Sequence, residues 1–495
     1  MAKVVVIGGG VGGLACAARL AAAGHHVQLF EQASEVGGKL GTFERDGFRF
    51  DTGPSILTMP YVLHDLLDAI GLDRSAIPLR RLDPIARYRF GDGSWMEAAA
   101  SDDAFLDEIE RLRPGNADDM RRFLVRADAI WSATRQPFLE SPLNGVRSLL
   151  RLSMRAADLR TVAPHRTLRQ LADSTLRDER LVTFIDRYAT YTGSDPRRAP
   201  AALASIPFVE RHFGAWYVDG GLRVIADALA GRCAALDVQI SVNQPVVKIT
   251  RRNGRVDGVE LASGGRVAAD IVVANADAEH VYSELLRPGR RSNSVLRRLQ
   301  QTTPSLSGFV LCLAVNGKTP AIAHHTVLFP DRYDDEFDDL FGPVPGAVRA
   351  PTIYCSVPSD DRVAPHGHES WFVLVNAPRH MPDDPSAGID WRAPGFADRY
   401  GDRIVAQMAA RGVDIRDRIR WRVVRTPADL ADQTWSVGGS IYGSSSNGAR
   451  AAFLRPTNRS PVAGLFLVGG SAHPGGGLPL VMLSAAITAG LIGRA

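Results

Sequence analysis

The sequence predicts an α/β protein: a dinucleotide-binding unit assembled from separated pieces of chain, with an α+β domain inserted between them. Three observations carry this. An apolar strand, a glycine loop, an alanine-rich helix and a second strand ending in an acid fill residues 1–31. A meander with an Asn253-Gly254 turn leads into a buried strand over Asp270–Asn275. A last apolar strand, a glycine-rich turn and an apolar helix close the chain.

The opening piece is the most constrained. Lys3-Val-Val-Val-Ile7 reads as a buried strand and Leu14 to Ala23 as a helix, with Gly8-Gly-Gly10-Val-Gly12-Gly13 between them. This GxGxxG order has a physical reading. Gly8 allows the tight turn, Gly10 lets backbone approach a pyrophosphate, and Gly13 lets helix and strand pack closely. The helix N-terminus offers unpaired N–H groups and a positive dipole to phosphate. Val27 to Phe30 forms the next strand, and Glu31 is placed to accept hydrogen bonds from a ribose diol. Together they predict a Rossmann-type unit.

Composition is that of a soluble globular protein. The 495 residues suffice for two or three domains, with 45% hydrophobic and 23% charged content. A net charge of +4 gives no reason to expect nucleic acid. Cys16, Cys233, Cys312 and Cys355 are widely spaced with no CxxC pair, so neither a disulfide framework nor a thiolate metal site is expected, and a reducing cytosol is. No apolar run reaches the length of a membrane span. The apolar start is interrupted by the loop glycines and reads as mature structure, not as a leader.

A second glycine loop, Gly37-Gly38-Lys39, follows Glu31, and then Asp51-Thr-Gly53-Pro54-Ser55. A strand, Glu, GG-Lys and a DxGPS loop in this order resemble the FAD signature of the amine oxidase and phytoene desaturase superfamily. Lys39 is either a cation for phosphate or a solvated loop lysine. Asp51 reads as a loop-fixing carboxylate in preference to a catalyst.

The middle reads as a substrate domain. Residues 101–185 are dominated by helical patterns, while Ser307–Val315, Thr352–Val357 and Trp371–Asn376 read as strands. Arg147 to Arg160 sets four arginines around Leu149, Leu152, Ala156 and Leu159, a pattern of either an ordinary surface helix or a membrane-interface helix. The acidic run Asp331–Asp339 reads as a solvated loop. His324-His325 and His366-x-His368 lack accompanying carboxylates, so no metal site is expected. The Asn275–Asp277 corner reads as a helix cap.

Several blocks resemble the bacterial phytoene desaturase family of FAD-dependent carotenoid desaturases: VVVIGGGVGGLACAARLAAAGHHVQLFEQ, VGGK, GFRFDTGPSILTMP, WYVDGGL, VVANADA and GLFLVGGSAHPGGGLPLVMLSAAITAGLI. They span nearly the whole chain. Ala472 departs from the threonine usual before His-Pro, and the sequence is also similar to hydroxycarotenoid 3,4-desaturases, diapocarotenoid desaturases and terminal-methyl oxidases. The resemblance implies a discontinuous, glutathione reductase-like FAD domain over 1–70, 205–285 and 430–495, with the substrate or membrane-facing domain over 71–204 and 286–429. It implies FAD held by Gly8, Gly10, Gly12, Gly13, Glu31, Gly38, Lys39, Gly53, Pro54, Ser55, Val247, Gly469, Gly470, Gly477 and Leu478. Hydride would pass from an acyclic carotenoid to flavin N5, and electrons would leave to a quinone or oxygen. A cytoplasmic protein peripherally attached to the membrane follows. A terminal-methyl oxygenase and a non-enzymatic prenyl-lipid escort are the competing readings. His473 is the one candidate catalyst, and Gly475 to Gly477 are expected to make room for flavin and polyene.

Overall fold

The computed structural model describes residues 1–143, 160–287, 289–320, 322–448 and 451–495. Its five-stranded sheet joins β1 (Lys3–Ile7), β2 (His26–Phe30), β3 (Gln239–Ser241), β4 (Ile271–Ala274) and β5 (Leu465–Leu467). All are parallel, in the order β5-β4-β1-β2-β3. Strand period explains the apolar run of β1: Val4 and Val6 enter the core on one face, Val5 and Ile7 that on the other. On the first face lie α1 (Val11–Ala22) and α2 (Leu478–Ile492), the two ends of the chain, packed with the helix Arg223–Ala235. On the second lies a three-stranded meander, whose Asn253-Gly254 turn has both residues at positive φ, 52° and 78°, as a two-residue hairpin requires. β1 sits where the strand order reverses, so a crevice opens at its carboxyl end.

The remaining large sheet has seven strands in the spatial order 419–425, 307–315, 369–377, 353–356, 325–328, 86–89, 95–98. Every residue of Ser307–Val315 is buried. Phe309, Leu311 and Leu313 face one cluster with Trp371 and Tyr400, while Val310, Cys312 and Ala314 face Phe48, Phe50 and Phe372. The hairpin leading into the DxGPS loop, 42–51, thus packs directly on this sheet.

Two expectations change. α1 begins at Val11, ahead of its apolar pattern, because Gly12 and Gly13 form its first turn. The acidic run is not a solvated loop: Asp334–Phe341 is helical, with Glu336, Phe337 and Leu340 inside. Acids in its first turn suit the helix dipole. Glu336 is satisfied by the Thr352 N–H at 2.8 Å and Asn376 Nδ2 at 2.7 Å. Residues 147–159 of the basic amphipathic stretch lie outside the described residues. Among the described residues, no helix is long and apolar enough to cross a membrane, and all four cysteines are buried and free.

Candidate functional site

The carboxyl end of β1 gathers the predicted glycines. Gly8 N–H donates to the Phe30 carbonyl at 2.8 Å, turning the chain at φ 91°. A Cβ on Gly13 would stand 2.1 Å from the Gly8 carbonyl oxygen, so helix and turn meet only through glycine. Gly10 opens α1, and no side chain caps its first turn. The two glycine loops touch: Gly37 N–H donates to the Gly9 carbonyl at 2.8 Å. A Cβ on Gly38 would lie 3.1 Å from Gly10 Cα. Glu31 is buried at the end of β2, accepting from the Gly9 N–H at 2.6 Å and the Ala33 N–H at 2.9 Å. Each carboxylate oxygen keeps a lone pair for a further donor.

Beside Glu31, the meander strand enters through the Gln244 N–H, bonded to the Glu31 carbonyl at 2.9 Å. Val247 follows at a register irregularity between Val246 and Lys248, with its side chain exposed.

Asn275, expected as part of a helix cap, has another role. Its Nδ2 donates to the Gly8 carbonyl at 3.2 Å. Its Oδ1 lies 2.7 Å from where a Cβ of Gly12 would stand, and 2.5 Å from that of Gly469. One side chain at the end of β4 therefore fills the space that Gly12 and Gly469 leave. Asp277 alone caps the next helix, accepting from the Glu279 N–H at 3.0 Å.

The second loop holds a surprise at Lys39. It is half-buried and turned onto the protein's own backbone. Its ammonium donates to the Ser440 and Ile441 carbonyls at 3.1 and 2.6 Å, tying the loop to a stretch four hundred residues on. Burial pushes its pKa down to about 8, against the opposing pull of Asp277. In the DxGPS loop, Asp51 fixes the chain as expected, accepting the N–H groups of Leu222 and Arg223 at 2.7 and 3.3 Å. Burial raises its carboxyl to about 6 although those donors oppose the shift. Gly53 is glycine for packing, since a Cβ there would be 1.8 Å from the Lys39 carbonyl oxygen. Half-buried Pro54 leads to Ser55, whose hydroxyl meets that of Tyr354, in the seven-stranded sheet, at 2.6 Å.

The C-terminal loop is built from within. Gly469 N–H donates to Ser484 Oγ at 3.2 Å, and the Gly470 carbonyl accepts from buried Arg455 at 2.7 Å. Gly476 makes no room for a ligand: a Cβ there would lie 2.2 Å from the Tyr442 ring, so the protein already fills that space. Gly475 likewise lies against Arg455 and Leu480, whereas the Cα of Gly477 faces open space at φ 104°. Leu478 and Pro479 then start α2, where proline's missing N–H goes unused.

His473 is enclosed. Its Nε2 meets the Ser141 carbonyl at 3.0 Å, and its ring packs edge-on to Phe138, centroids 5.2 Å apart. Asn458 Nδ2 and Ser484 Oγ hold its carbonyl at 2.9 and 2.8 Å. Burial lowers its pKa to about 4 despite the Ser141 and Phe138 carbonyls, which pull the other way, so the ring is neutral near pH 7. Arg455, Ser484 and Tyr442 were not picked out from sequence, and Asn275 was picked out only as part of a cap. The signal for its other role is a polar residue ending a buried parallel strand next to β1.

The family profile described as flavin containing amine oxidoreductase matches residues 11–492. The chain belongs to that family. Curated relatives extend over its whole length. It is 34% identical to a 4,4'-diapolycopene oxygenase of Methylomonas sp, covering 97% of this chain and 96% of the relative. It is 31% identical to a 1-hydroxycarotenoid 3,4-desaturase of Flavobacterium sp. strain P99-3, covering 99% of each. A zeta-carotene-forming phytoene desaturase of Myxococcus xanthus is 34% identical over 98% of this chain and 92% of its own.

FAD is the cofactor of this flavoprotein, and the residues fit it. The uncapped first turn of α1 suits a pyrophosphate, Glu31 keeps lone pairs for a ribose diol, and Gly477 leaves a cleared approach at the head of α2.

Proposed function

We propose that this flavoenzyme dehydrogenates an acyclic carotenoid, drawing hydrogens from carbon next to the polyene, with oxygenation of a terminal methyl as the competing outcome at the same site. The observation that carries the reading is likeness to carotenoid desaturases and a diapocarotenoid oxygenase over nearly the full chain. Bound FAD supplies the hydride acceptor. The chain's own share is placement and dryness: a conjugated chain spreads developing charge along itself, so positioning and exclusion of water do most of the work. The site residues support this division. His473 is neutral and enclosed, and its backbone is tied down, which suits a wall better than a proton shuttle.

On this reading Gly8, Gly10, Gly12, Gly13, Glu31 and Gly38 hold the nucleotide half of FAD with the Val247 backbone nearby. Gly469, Gly470, Gly477 and Leu478 border the flavin half. Lys39, Gly53 and Ser55 act behind the cofactor, bracing the loops. The FAD-binding unit comprises 1–70, 205–285 and 430–495, and the rest receives substrate. Electrons leave to a quinone or to oxygen. The polyene is delivered from the cytoplasmic membrane surface, where the basic stretch 147–160 is the contact.

Expression in cells making phytoene, diapophytoene or hydroxylated lycopene tests the proposal through product masses. Desaturation removes two hydrogens per step, and oxygenation adds oxygen. No new product from any of the three refutes both outcomes. Purified protein that stays colourless after FAD is offered would favour a prenyl-lipid escort on the same fold.

A further inference from the structure

The substrate domain buries a cation that nothing above uses. Arg187 begins the short helical stretch Arg187–Thr192 and is 8% exposed. Its guanidinium carbon lies 5.6 Å from the Tyr88 ring, 6.0 Å from Tyr188, 5.2 Å from Tyr191 and 5.8 Å from Tyr354. The sheet builds one wall, because Val327 pairs with Tyr354 on one side and Tyr88 on the other, setting both rings on one face. Among the described residues, no carboxylate hydrogen-bonds or ion-pairs with Arg187. Glu210 is reached only through the hydroxyls of Tyr188 and Tyr191, which donate to it at 2.6 and 2.9 Å.

The hydrogen bonds do not close. Nη1 donates to the Tyr88 and Tyr191 hydroxyls at 3.3 and 3.2 Å, while Nε and Nη2 have no partner among the described residues. His325, 1% exposed, has Nδ1 at 2.7 Å from the Tyr354 hydroxyl and no partner for Nε2 among the described residues. Leaving the buried Nε2 of His325 unpaired is costly, and a hydrocarbon chain can satisfy neither it nor the guanidinium nitrogens of Arg187 that make no hydrogen bond. An apolar residue would serve a purely hydrocarbon tunnel better than a caged arginine.

The cage also lies beside the cofactor loops. Tyr354, one of its walls, bonds Ser55 of the DxGPS loop. The stretch that starts at Arg187 ends at Gly193, against the Tyr442 ring, which itself covers Gly476 of the C-terminal loop. A polar group placed here would meet the part of the polyene that reacts, not a distant tail. Oxygen can lie that close only if the reaction takes place near the chain end.

We propose that Arg187 and its tyrosine cage bind the oxygen of a carotenoid already oxygenated at its end, a hydroxyl or carbonyl within a few bonds of the reacting carbon. The proposal rests on the carotenoid reading above and narrows it: a reaction that hydrates or oxidises the chain end must precede this one. Phytoene, with no oxygen, would leave the cage empty.

The test compares a 1-hydroxylated acyclic polyene with the same polyene lacking the hydroxyl, each in detergent with the FAD-loaded protein, by anaerobic flavin bleaching. The wild type is expected to favour the hydroxylated polyene. Arg187→Met should lower the ratio of kcat/KM, hydroxylated over hydrocarbon, by tenfold or more, roughly the loss of one hydrogen bond from a charged donor. Tyr191→Phe should move that ratio the same way by less, and it decides the matter if Arg187→Met fails to fold. A wild type that bleaches equally with both polyenes overturns the cage proposal, as does an unchanged ratio in the variants. A wild type that bleaches with neither, nor with an aldehyde-ended polyene, refutes the carotenoid reading itself.

Discussion

Replacing His473 separates a structural histidine from a catalytic one. Its ring is wholly buried, donates one bond from Nε2 to the Ser141 carbonyl, and packs edge-on to Phe138. The bond contributes about 1 kcal/mol and the aromatic pair about 0.5–1.5 kcal/mol. Truncation also leaves a cavity, so His473→Ala should destabilise the FAD-loaded protein by about 2–4 kcal/mol. The pH dependence has a definite sign. Burial takes the imidazole from 6.5 to about 4. Between those values the unfolded chain holds a proton that the folded protein does not, so stability falls as pH drops from 6.5 toward 4, by up to about 3 kcal/mol. His473→Gln, which cannot titrate, should flatten that part of the curve. Denaturant unfolding from pH 4 to 8, with the rate of anaerobic flavin bleaching over the same range, checks both. If wild-type bleaching shows an ionisation near pH 6–7 that His473→Gln abolishes while stability stays within about 0.5 kcal/mol, the histidine is a working acid–base group and the structural account is wrong.

Three further predictions concern the rest of the site. Asn275→Ala removes the bond to the Gly8 carbonyl and empties the space against Gly12 and Gly469. FAD should bind roughly tenfold more weakly, as a lost buried bond of about 1–2 kcal/mol implies, and an unchanged dissociation constant would count against the keystone role. Lys39 sits near 8 when folded against 10.5 normally, so the folded protein sheds its proton first and should gain stability as pH rises from 8 to 10.5. Lys39→Met should remove that gain in a wild-type-minus-variant comparison of Tm, and an identical pH dependence would refute it. For the membrane contact, Arg147, Arg151 and Arg155 changed together to Glu should abolish co-flotation with anionic liposomes, whereas undiminished flotation places the contact elsewhere.

Local signals in the chain were enough for the parts of the fold governed by local rules. Strand–glycine–helix–strand–acid, the Asn253-Gly254 hairpin and Pro479 at the head of α2 each follow from one stretch of backbone, and each formed in the expected order, with α1 starting three residues early. The acidic run 331–339 misled because the aspartates of 334–339 lie outside the helix's buried face, where Glu336 alone of the acids turns inward. What makes it helical is Phe337 and Leu340 entering cores built from distant strands, and that burial is invisible in a window of nine residues.

The site divides along the same physical line. A glycine in a sequence announces that a side chain is absent, but not what occupies the vacated space. At Gly477 the cleared face is consistent with a cofactor. At Gly12 and Gly469 the space belongs to Asn275, at Gly53 to the Lys39 carbonyl, and at Gly476 to Tyr442. Asn275 and Tyr442 stand outside the glycine motifs whose space they fill, so no motif could name them. The consequence is mechanical as well as chemical. Because Asn275, Lys39 and Tyr442 each join a glycine loop to a remote element, the FAD cradle is closed by tertiary packing and not by the loops themselves. Its order should therefore depend on the docking of the segment 440–442, which carries both the carbonyls that hold Lys39 and the ring that covers Gly476. The same ring touches Gly193 at the end of the stretch that Arg187 begins, so the cofactor cradle and the polar cage are two sides of one packed seam.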